Sequence, residues 1–357
     1  MNPKKPATSR ASTRRATMRD VASEAGVGVK TVSRVVNGEP DVAESTRHRV
    51  RAAIARLDYR PDDSARGLRN GQIASIGLVL DDATDPFSAQ LVAAIQAEAQ
   101  LHGMLALSGS CNEDPDSERE LSLALCARRV RGLVVVPAPG ARHDYLSPYL
   151  AEGLPVVFVD RPPVALAADT VLTDSRGGAI TAVRHLLAHG HRRIAFLGDD
   201  VRIHTAAERL SGYRAALHEA GLPIDTDLIA ARPVRDETVS ATLAAFMALP
   251  EPPTALFTAN NRTTVAALRA LAGFDTVPAL VGFDDFQLAE LMSPPVTVVA
   301  QDPGSLGETA ARLLFQRLFG DRSPAQRVEL ATRLIPRGSG EIPPHPTGGR
   351  TIAVPPF

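Results

Sequence analysis

From residue 73 onward, short and largely apolar runs alternate with longer amphipathic segments, and this alternation restricts the fold more than any other feature. The apolar runs are IASIGLVL, MLALSGS, GLVVVP, PVVFVD, IAFLGD, TALFTAN, ALVGFDD and VTVVAQD. The segments between them include AQLVAAIQAEAQLHG, ERELSLALCARR, ERLSGYRAALHEAGL and TVAALRALAG. Apolar strands that alternate with helices are typical of parallel sheets covered by helices on both faces. We therefore predict an α/β body.

These strands are too numerous for one comfortable sheet, so the pattern predicts two doubly wound parallel-sheet lobes. In such sheets, ligands bind at the carboxyl ends of the strands. Five pairs of polar residues stand at these ends: Asp81 and Asp82, Asp160 and Arg161, Asn260 and Asn261, Asp284 and Asp285, and Gln301 and Asp302. We expect a ligand pocket in the cleft between the lobes.

Near the N-terminus, the run GVGVKT at residues 26–31 looks at first like a phosphate-binding loop. A P-loop needs Gly directly before its Lys, but Val29 precedes Lys30. The dinucleotide motif needs a third Gly where Thr31 stands. The spacing therefore argues against a nucleotide site.

The residues around this run predict two short helices joined by a tight turn. Thr17 and Asp20 have the spacing of a capping box, and Gly26 permits the positive φ that ends a helix. An apolar stripe at Val32, Val35 and Val36 predicts the second helix, with Lys30, Thr31 and Arg34 facing outward. This pattern predicts an all-α helix-turn-helix head, whose second helix enters the DNA major groove.

A third helix and a short linker complete the predicted organisation. Val50, Ile54 and Leu57 have helical spacing and would close a three-helix core. Residues 62–70 are too short and polar for a stable isolated helix, so we expect a hinge that is helical only when held. The predicted boundaries are a disordered basic leader at 1–16, the head at 17–61, the hinge at 62–70, the two-lobed body at 71–340 and a disordered tail at 341–357.

The net charge of −1 conceals a marked asymmetry along the chain. Residues 1–70 contain 15 Lys and Arg against 8 Asp and Glu, a charge of +7. The remaining residues contain 24 against 32, a charge of −8. A basic head on an acidic body is typical of a nucleic-acid binder that carries a separate module.

The basic residues 1–16 precede no apolar core, so we expect neither a signal peptide nor a membrane anchor. No apolar stretch is long enough to span a membrane either. The predicted location is the cytoplasm, where Cys111 and Cys126 would be thiols rather than a disulfide. For the leader, contact with DNA phosphates is the alternative to a plain disordered segment.

The chain resembles the lactose-repressor (LacI/GalR) family of bacterial transcription regulators over about residues 17–340. The resemblance is carried by TMRDVASEAGVGVKTVSRVVNG, TRHRVRAAIARLDYRPDDSARGL, DPFSAQLVAAI, PVVFVDRPP, HLLAHGHRRIAFLGD, ERLSGYRAAL, VGFDD and a closing RGS. It implies a DNA-binding head, a hinge helix and a body shaped like the type I periplasmic sugar-binding proteins.

The resemblance assigns DNA contacts residue by residue. Val29, Lys30 and Arg34 correspond to positions that read base edges, and Arg34 could fork onto a guanine. In the hinge, Ala65 and Leu68 match the pair that enters the minor groove, with Leu68 as the apolar wedge. Thr31, Ser33 and Asn37 match phosphate-binding positions, and the DNA-binding set also includes Thr17.

In the body, the positions that match the family's ligand side are Phe87, Ser88, Asp160, Arg209, Asn260, Asp284 and Gln301. Carboxylate, guanidinium and amide groups with one aromatic face suit a hydroxyl-rich ligand. The predicted effector is a sugar or sugar acid, and a purine-like ligand is the second choice.

Four positions depart from the family pattern. Gly28 and Ala43 replace the Ser that commonly caps helices two and three, so each helix would lose about 1 kcal/mol of capping and one phosphate contact. Asn261 stands where Asp is usual, and Ser88 where a second aromatic often sits. The register around RPVRDE does not identify the aromatic residue that covers the ligand elsewhere.

Enzyme and metal alternatives find weaker support. His185, His189 and His191 have no Cys or third carboxylate near them in sequence, so a helix end entering a strand is favoured over a metal site. Asp284 and Asp285 are adjacent on a strand end and should point to opposite faces, unlike a glycosidase pair. No G-x-S-x-G elbow occurs. We predict neither catalytic residues nor a cofactor.

Three functional classes were compared: a ligand-gated DNA regulator, a solute-binding protein for import and a sugar-processing enzyme. The import class needs a signal peptide and no DNA head, and the enzyme class would need turnover of a sugar. We expect a homodimeric repressor on a pseudo-palindromic operator, controlled by a small effector. Because the C-terminal stretch has no heptads, a dimer is expected rather than a tetramer. Whether the effector releases or promotes DNA binding is left open.

Overall fold

The computed structural model describes residues 16–36, 42–57, 74–233, 235–274 and 276–344. It divides into two compact units, residues 1–73 and residues 74–357. The described part of the first unit is entirely helical and consists of α1 (Met18–Ala25), α2 (Val29–Val36) and α3 (Glu44–Arg56).

The capping and turn signals in the first unit are confirmed. The Thr17 hydroxyl accepts a hydrogen bond from the Asp20 amide, and the Asp20 carboxylate accepts one from the Thr17 amide at 2.7 Å. Gly26 ends α1 with a φ of 63°. These contacts satisfy donors at the start of α1 and let the chain reverse into α2 within three residues.

The three helices enclose one small apolar core, as the spacing predicted. Its fully buried members are Val21, Val32, Val50 and Ala53, and Ile54 and Leu57 pack against it half-buried. Since Val32 and Val35 face inward, the other faces of α2 remain available to a partner.

The second unit begins with alternating strands and helices that build its first lobe. They are β1 (Ser75–Leu80), α4 (Pro86–Leu101), β2 (Leu105–Ser110), α5 (Pro115–Ala127), β3 (Leu133–Val135), α6 (Ser147–Ala151), β4 (Val156–Val159) and β5 (Asp169–Thr173). The chain then crosses to a second lobe, formed by α7 (Ser175–Ala188), β6 (Ile194–Gly198), α8 (His204–Glu219), β7 (Ile229–Ala231), α9 (Asp236–Met247), β8 (Ala255–Thr258), α10 (Asn261–Leu271), β9 (Ala279–Phe283) and β10 (Thr297–Ala300).

Two further crossings tie the lobes together. After β10 the chain returns to the first lobe for α11 (Pro303–Leu318) and β11 (Arg327–Leu330), and then ends in the second lobe with β12 (Arg333–Ile335). The first sheet has the order β11-β5-β4-β3-β1-β2 and is parallel throughout. The second has the order β12-β10-β9-β8-β6-β7, and only β12 within it is antiparallel.

Each sheet is covered on both faces, which is why its central strands read as continuous apolar runs. Along β1, Ile76 and Leu78 pack beneath α4 and α11, whereas Val79 belongs to the core on the opposite face. In the second lobe, α7 and α8 approach closely at Gly212, where an added Cβ would lie 2.4 Å from the Arg176 carbonyl oxygen. The two predicted doubly wound lobes are confirmed.

Four strands escape the sequence pattern. β5 reads DTVLT and mixes polar with apolar residues, and β7 has only three residues. β11 and β12 are edge strands whose side chains alternate between exposed and half-buried. Short or edge strands lack the long apolar run that signals a central strand.

The C-terminal boundary of the body lies slightly beyond the predicted residue 340. The Gly338 amide donates to the Glu341 carboxylate at 2.6 Å, and the Ile342 carbonyl accepts a hydrogen bond from His191 Nε2 at 2.8 Å. These contacts fix residues 341 and 342 on the second lobe. The predicted leader and most of the predicted tail and hinge lie outside the described residues.

Cys111 and Cys126 are free buried thiols. Burial raises the pKa of each to about 11. Neither therefore carries the thiolate that oxidation and metal binding require at neutral pH. None of the described helices has the length and apolar character to cross a membrane.

Candidate functional site

The first candidate site is the outer face of α2 in the helical unit. Val29 and Lys30, at the first turn, are exposed, while Thr31, Ser33 and Arg34 are half-buried. Thr17 caps α1, so its hydroxyl already has a structural role. Of the other residues predicted to bind DNA, Asn37, Ala65 and Leu68 lie outside the described residues.

The two departures from the usual capping residues have the expected local effect. Ala43 precedes α3 without any side-chain cap. Gly28 precedes α2 and contributes only its carbonyl, which accepts the amides of Thr31 at 2.9 Å and Val32 at 3.2 Å. Amide groups at both helix starts thus lack the side-chain acceptor that Ser would supply.

The second candidate site is a cavity of about 580 Å³ in the cleft between the two lobes. Loops at the carboxyl ends of β1, β2 and β4 form one wall, and loops after β6, β8, β9 and β10 form the other. This volume is typical of a site for a small molecule. The cavity lies where the topology of parallel sheets predicts a ligand.

Six of the seven residues predicted to bind the effector line this cavity: Phe87, Asp160, Arg209, Asn260, Asp284 and Gln301. Ser88 does not, because it is fully buried one position behind Phe87. Its hydroxyl donates to Asp81 Oδ1 at 3.0 Å. The placement of Ser88 among lining residues is therefore wrong, and its side chain instead supports Asp81.

Arg161 organises the wall formed by the first lobe. It donates two hydrogen bonds to Glu113, at 2.6 and 2.9 Å, and one to Asp81 at 3.0 Å. A fourth bond reaches the Pro137 carbonyl at 2.8 Å. These carboxylates raise the pKa of Arg161 further above its usual value despite its burial. The guanidinium is fixed by its own protein before any ligand arrives.

Arg209 plays the corresponding role on the wall formed by the second lobe. Its guanidinium lies 3.8 Å from the centre of the Phe283 ring, donates to the Ala259 carbonyl at 2.7 Å and pairs with Asp284 at 3.1 Å. Gln301 donates to the same Asp284 carboxylate at 2.7 Å. Burial raises the pKa of Asp284, and its attraction to Arg209 opposes that shift.

Asp160 differs from the other buried carboxylates of the cavity. Its side chain accepts no hydrogen bond from any described residue, and its nearest cation is Arg161 Nε at 3.4 Å. Only 6% of Asp160 is exposed, and burial raises its pKa to about 6. It follows β4 with a φ of 67°, as Asp284 follows β9 with a φ of 68°. Such conformations are rare outside Gly and concentrate at functional sites.

Contacts across the mouth of the cleft join the lobes. Asn261 Nδ2 donates to Asp85 Oδ1 at 3.3 Å, and Arg262 lies 3.8 Å from Asp82. Asp85 also caps α4. An Asp at position 261 would place a second carboxylate beside that of Asp85, whereas the amide of Asn261 can donate to it. The departure from the family pattern at 261 thus has a physical reason in Asp85.

Sequence reasoning missed several lining residues: Asp85, Glu113, Asp199, Ile203, Thr205 and Arg262. Glu113 follows β2 in a turn with a φ of 62°, and no apolar run signals its direction. Asp85 was visible within the DPF motif, where its position before a helix-starting Pro identifies it as a cap.

The structure also places the residues of the rejected alternatives. Asp285 turns away from the cavity and pairs with Arg337 at 2.7 Å, so the adjacent carboxylates diverge as predicted. His185 contacts Glu341, and His191 bonds Thr254 at 3.0 Å. Over the ranges that the structure describes, no three His, Cys, Asp or Glu side chains are grouped as a metal site requires.

Two family models match the sequence. One, described as "Bacterial regulatory proteins, lacI family", covers residues 17–62, and the other, "Periplasmic binding protein-like domain", covers residues 183–340. An HTH-type transcriptional repressor, PurR of Mannheimia succiniciproducens, is 30% identical over 331 residues, which is 91% of this chain and 98% of that repressor.

Two solved structures extend the similarity to nearly the whole chain. The transcriptional regulator CelR in complex with cellobiose is 32% identical, with a TM-score of 0.67 over 91% of this chain and 100% of CelR. The lac repressor dimer bound to operator and the anti-inducer ONPF is 27% identical, with a TM-score of 0.77 over 92% of this chain and 99% of that repressor.

Proposed function

The chain belongs to the lacI family of bacterial regulatory proteins, and we propose that it is a repressor that binds a pseudo-palindromic operator as a homodimer under the control of a hydroxyl-rich effector. It is a DNA-binding regulator rather than an enzyme. The observation that carries the proposal is one chain that joins an exposed helix-turn-helix to a cleft lined with charged and amide groups. A transcription regulator acts on DNA, so we place it in the cytoplasm.

The outer face of α2 supports DNA reading. Val29 and Lys30 project from its exposed first turn, and Arg34 lies one turn further along the helix. An Arg fork that bonds both acceptors of a guanine discriminates that base by about 1–3 kcal/mol. Lys30, Arg34 and their basic neighbours on α3 supply the charge that phosphate binding requires.

The cavity supports a small polar effector. Arg209 and Asn260 offer donors, Asp160 and Asp284 offer acceptors, and Phe87 offers an apolar face. Sugars present both O–H donors and oxygen acceptors on a ring with apolar C–H faces, so each of these groups has a counterpart. The sugar complex of the similar regulator CelR agrees with this class of ligand.

A row of exposed leucines supports self-association. β2 is the edge strand of the first sheet, and Leu105 and Leu107 project from it with 53% and 37% of their surface exposed. Leu101, at the end of the preceding helix, is 79% exposed. An apolar sheet edge invites pairing with another chain unless it is covered. A two-fold dimer through this surface would present two heads to a two-fold symmetric operator, as in the operator-bound lac repressor dimer.

The effector would act through the relative position of the lobes. Asp160 belongs to the first lobe and Asp284 to the second, so a ligand that contacts both favours one closure of the cleft. A coupling of about 1–3 kcal/mol would change operator affinity by about 5- to 150-fold. Its sign is decided by the experiment below.

The test uses full-length protein, DNA from upstream of its own gene and a scrambled duplex of equal length, with binding followed by fluorescence anisotropy. The parent should prefer the upstream DNA, and Arg34→Ala should lose that preference. Arg184→Ala is the matched control, because Arg184 is exposed on α7 of the body and pairs with Glu219. If Arg34→Ala selects the upstream DNA as well as the parent does, the assignment is wrong. Adding a library of sugars to the same assay identifies effectors and the sign of their effect.

A further inference from the structure

The cavity between the lobes has more carboxylates than a neutral sugar needs. Seven of its lining residues are acidic and three are arginines. Beyond Asp81, Glu113, Asp160 and Asp284, the acidic residues are Asp82, Asp85 and Asp199. Partial enclosure by protein lowers the local dielectric constant, so this excess acts on a bound ligand more strongly than it would in water.

Each of the three arginines already has a carboxylate partner. Arg161 is held by Glu113 and Asp81, and Arg209 by Asp284. Arg262 stands at the rim, 3.8 Å from Asp82. An anionic ligand would therefore have to displace a protein carboxylate from its guanidinium. That exchange leaves the displaced carboxylate without its partner in a partly buried site, which is unfavourable.

Asp160 is in the opposite situation. It lines the cavity, it is buried to more than nine-tenths, and its oxygens accept no hydrogen bond from the described residues. Arg161, the nearest cation, donates its hydrogen bonds to Glu113 and Asp81 instead. A buried carboxylate is normally compensated by a hydrogen-bonded cation or several donors. The site therefore has one acceptor whose partner must come from the ligand.

We propose that the effector carries a protonated amine beside its hydroxyls, as an amino sugar or amino polyol does, and that Asp160 receives the ammonium group. The inference rests on the proposed function, since it takes the cleft as the effector site. An ammonium group supplies three N–H donors and a positive charge, and charge-assisted hydrogen bonds are about twice as strong as neutral ones. The Phe87 ring on the same cavity wall adds a face suited to a cation.

The same arrangement disfavours the other ligand classes. A sugar acid would bring a further negative charge beside seven carboxylates, so the sugar acids included among the sequence-based expectations should bind weakly. A neutral sugar would leave Asp160 with hydroxyl donors and without charge compensation. A purine presents few donors and no positive charge at neutral pH.

The test compares matched ligands on purified full-length protein by isothermal titration calorimetry at pH 7. Glucosamine, galactosamine and mannosamine are each measured beside the parent sugar, the N-acetylated sugar and the aldonic acid of the same skeleton. At least one amine should bind about tenfold or more tightly than its three counterparts, a difference expected for one charge-assisted contact in a partly enclosed site. The proposal is overturned if a parent sugar or an acid binds as tightly as its amine, or if no amine binds.

Variants then locate the contact. Asp160→Asn should abolish the preference for the amine over the parent sugar, because the carboxamide retains the shape but not the charge. Asp144→Asn removes the same charge from an exposed surface position and should retain the preference. Persistence of the preference in Asp160→Asn would remove Asp160 from the proposal. Operator binding without ligand is measured separately, so a failure of DNA recognition is distinguished from a wrong ligand class.

Discussion

Replacing Asp160 by Asn should stabilise the protein at neutral and alkaline pH in the absence of ligand. The Asp160 carboxylate is buried, lacks hydrogen-bond donors from the described residues and has a pKa raised to about 6, chiefly by burial. The ionised form is therefore less favourable in the folded protein than in the unfolded chain, where the reference pKa is 3.8. Asn is neutral at every pH and occupies nearly the same volume.

The sign and size of the effect follow from proton linkage. Between pH 3.8 and 6 the folded protein binds more protons at Asp160 than the unfolded chain does, so parental stability falls as pH rises through this window. Above pH 6 the loss is complete, and a shift of about two pKa units corresponds to about 3 kcal/mol. At pH 5 about half of this difference should remain, and below pH 3.8 it should vanish.

The assay is urea denaturation followed by circular dichroism, because the chain contains no Trp for fluorescence. Parent, Asp160→Asn and Asp144→Asn are measured at pH 5, 6, 7 and 8. The free energy of unfolding of Asp160→Asn should exceed the parental value by about 3 kcal/mol at pH 8 and by about half as much at pH 5, while Asp144→Asn follows the parent. An advantage that does not change with pH would refute the linkage argument. So would an Asp160→Asn protein no more stable than the parent at pH 8.

Three further predictions concern DNA binding, association and packing. Operator affinity should fall steeply as salt is added, since phosphate contacts release counterions, and Arg34→Ala should weaken specific binding by about 1–3 kcal/mol; a salt-independent affinity would contradict the DNA model. Light scattering should report a dimer for the parent and a monomer for Leu105→Lys, which places a charge on the exposed sheet edge; a parental tetramer would be inconsistent with the proposed assembly. Gly212→Ala should lower the free energy of unfolding by about 1–3 kcal/mol, because its Cβ would meet the Arg176 carbonyl oxygen at 2.4 Å, whereas Gly273→Ala, with no contact closer than 3.8 Å, should be tolerated in the same denaturation assay.

The central strands were predictable because their environment is uniform. β1, β4 and β9 are covered on both faces, so almost every position along them must be apolar. β11 instead alternates exposed and half-buried residues at the sheet edge, and its register with β5 depends on a chain segment more than 150 residues away. A local pattern does not contain that pairing.

The candidate site was predictable in position but not in charge balance. The rule that ligands bind at strand ends identified Asp160, Arg161 and Asp284 as candidates. Which carboxylate neutralises Arg161 depends on Glu113 and Asp81, which are 48 and 80 residues away in sequence. Only the folded structure shows that these two take the guanidinium and leave Asp160 without hydrogen bonds from described residues.

The division of polar groups between the lobes connects ligand chemistry to regulation. A ligand shifts a conformational equilibrium only by the difference between its affinities for the two states. A ligand held by Arg209 and Asp284 alone would contact one lobe and would have little such difference. An ammonium group on Asp160 adds a contact from the first lobe, so its binding energy depends on how closely the lobes approach. The group that would set effector specificity would therefore also set the coupling to DNA, and we expect ligands without the amine to be weak regulators even where they bind.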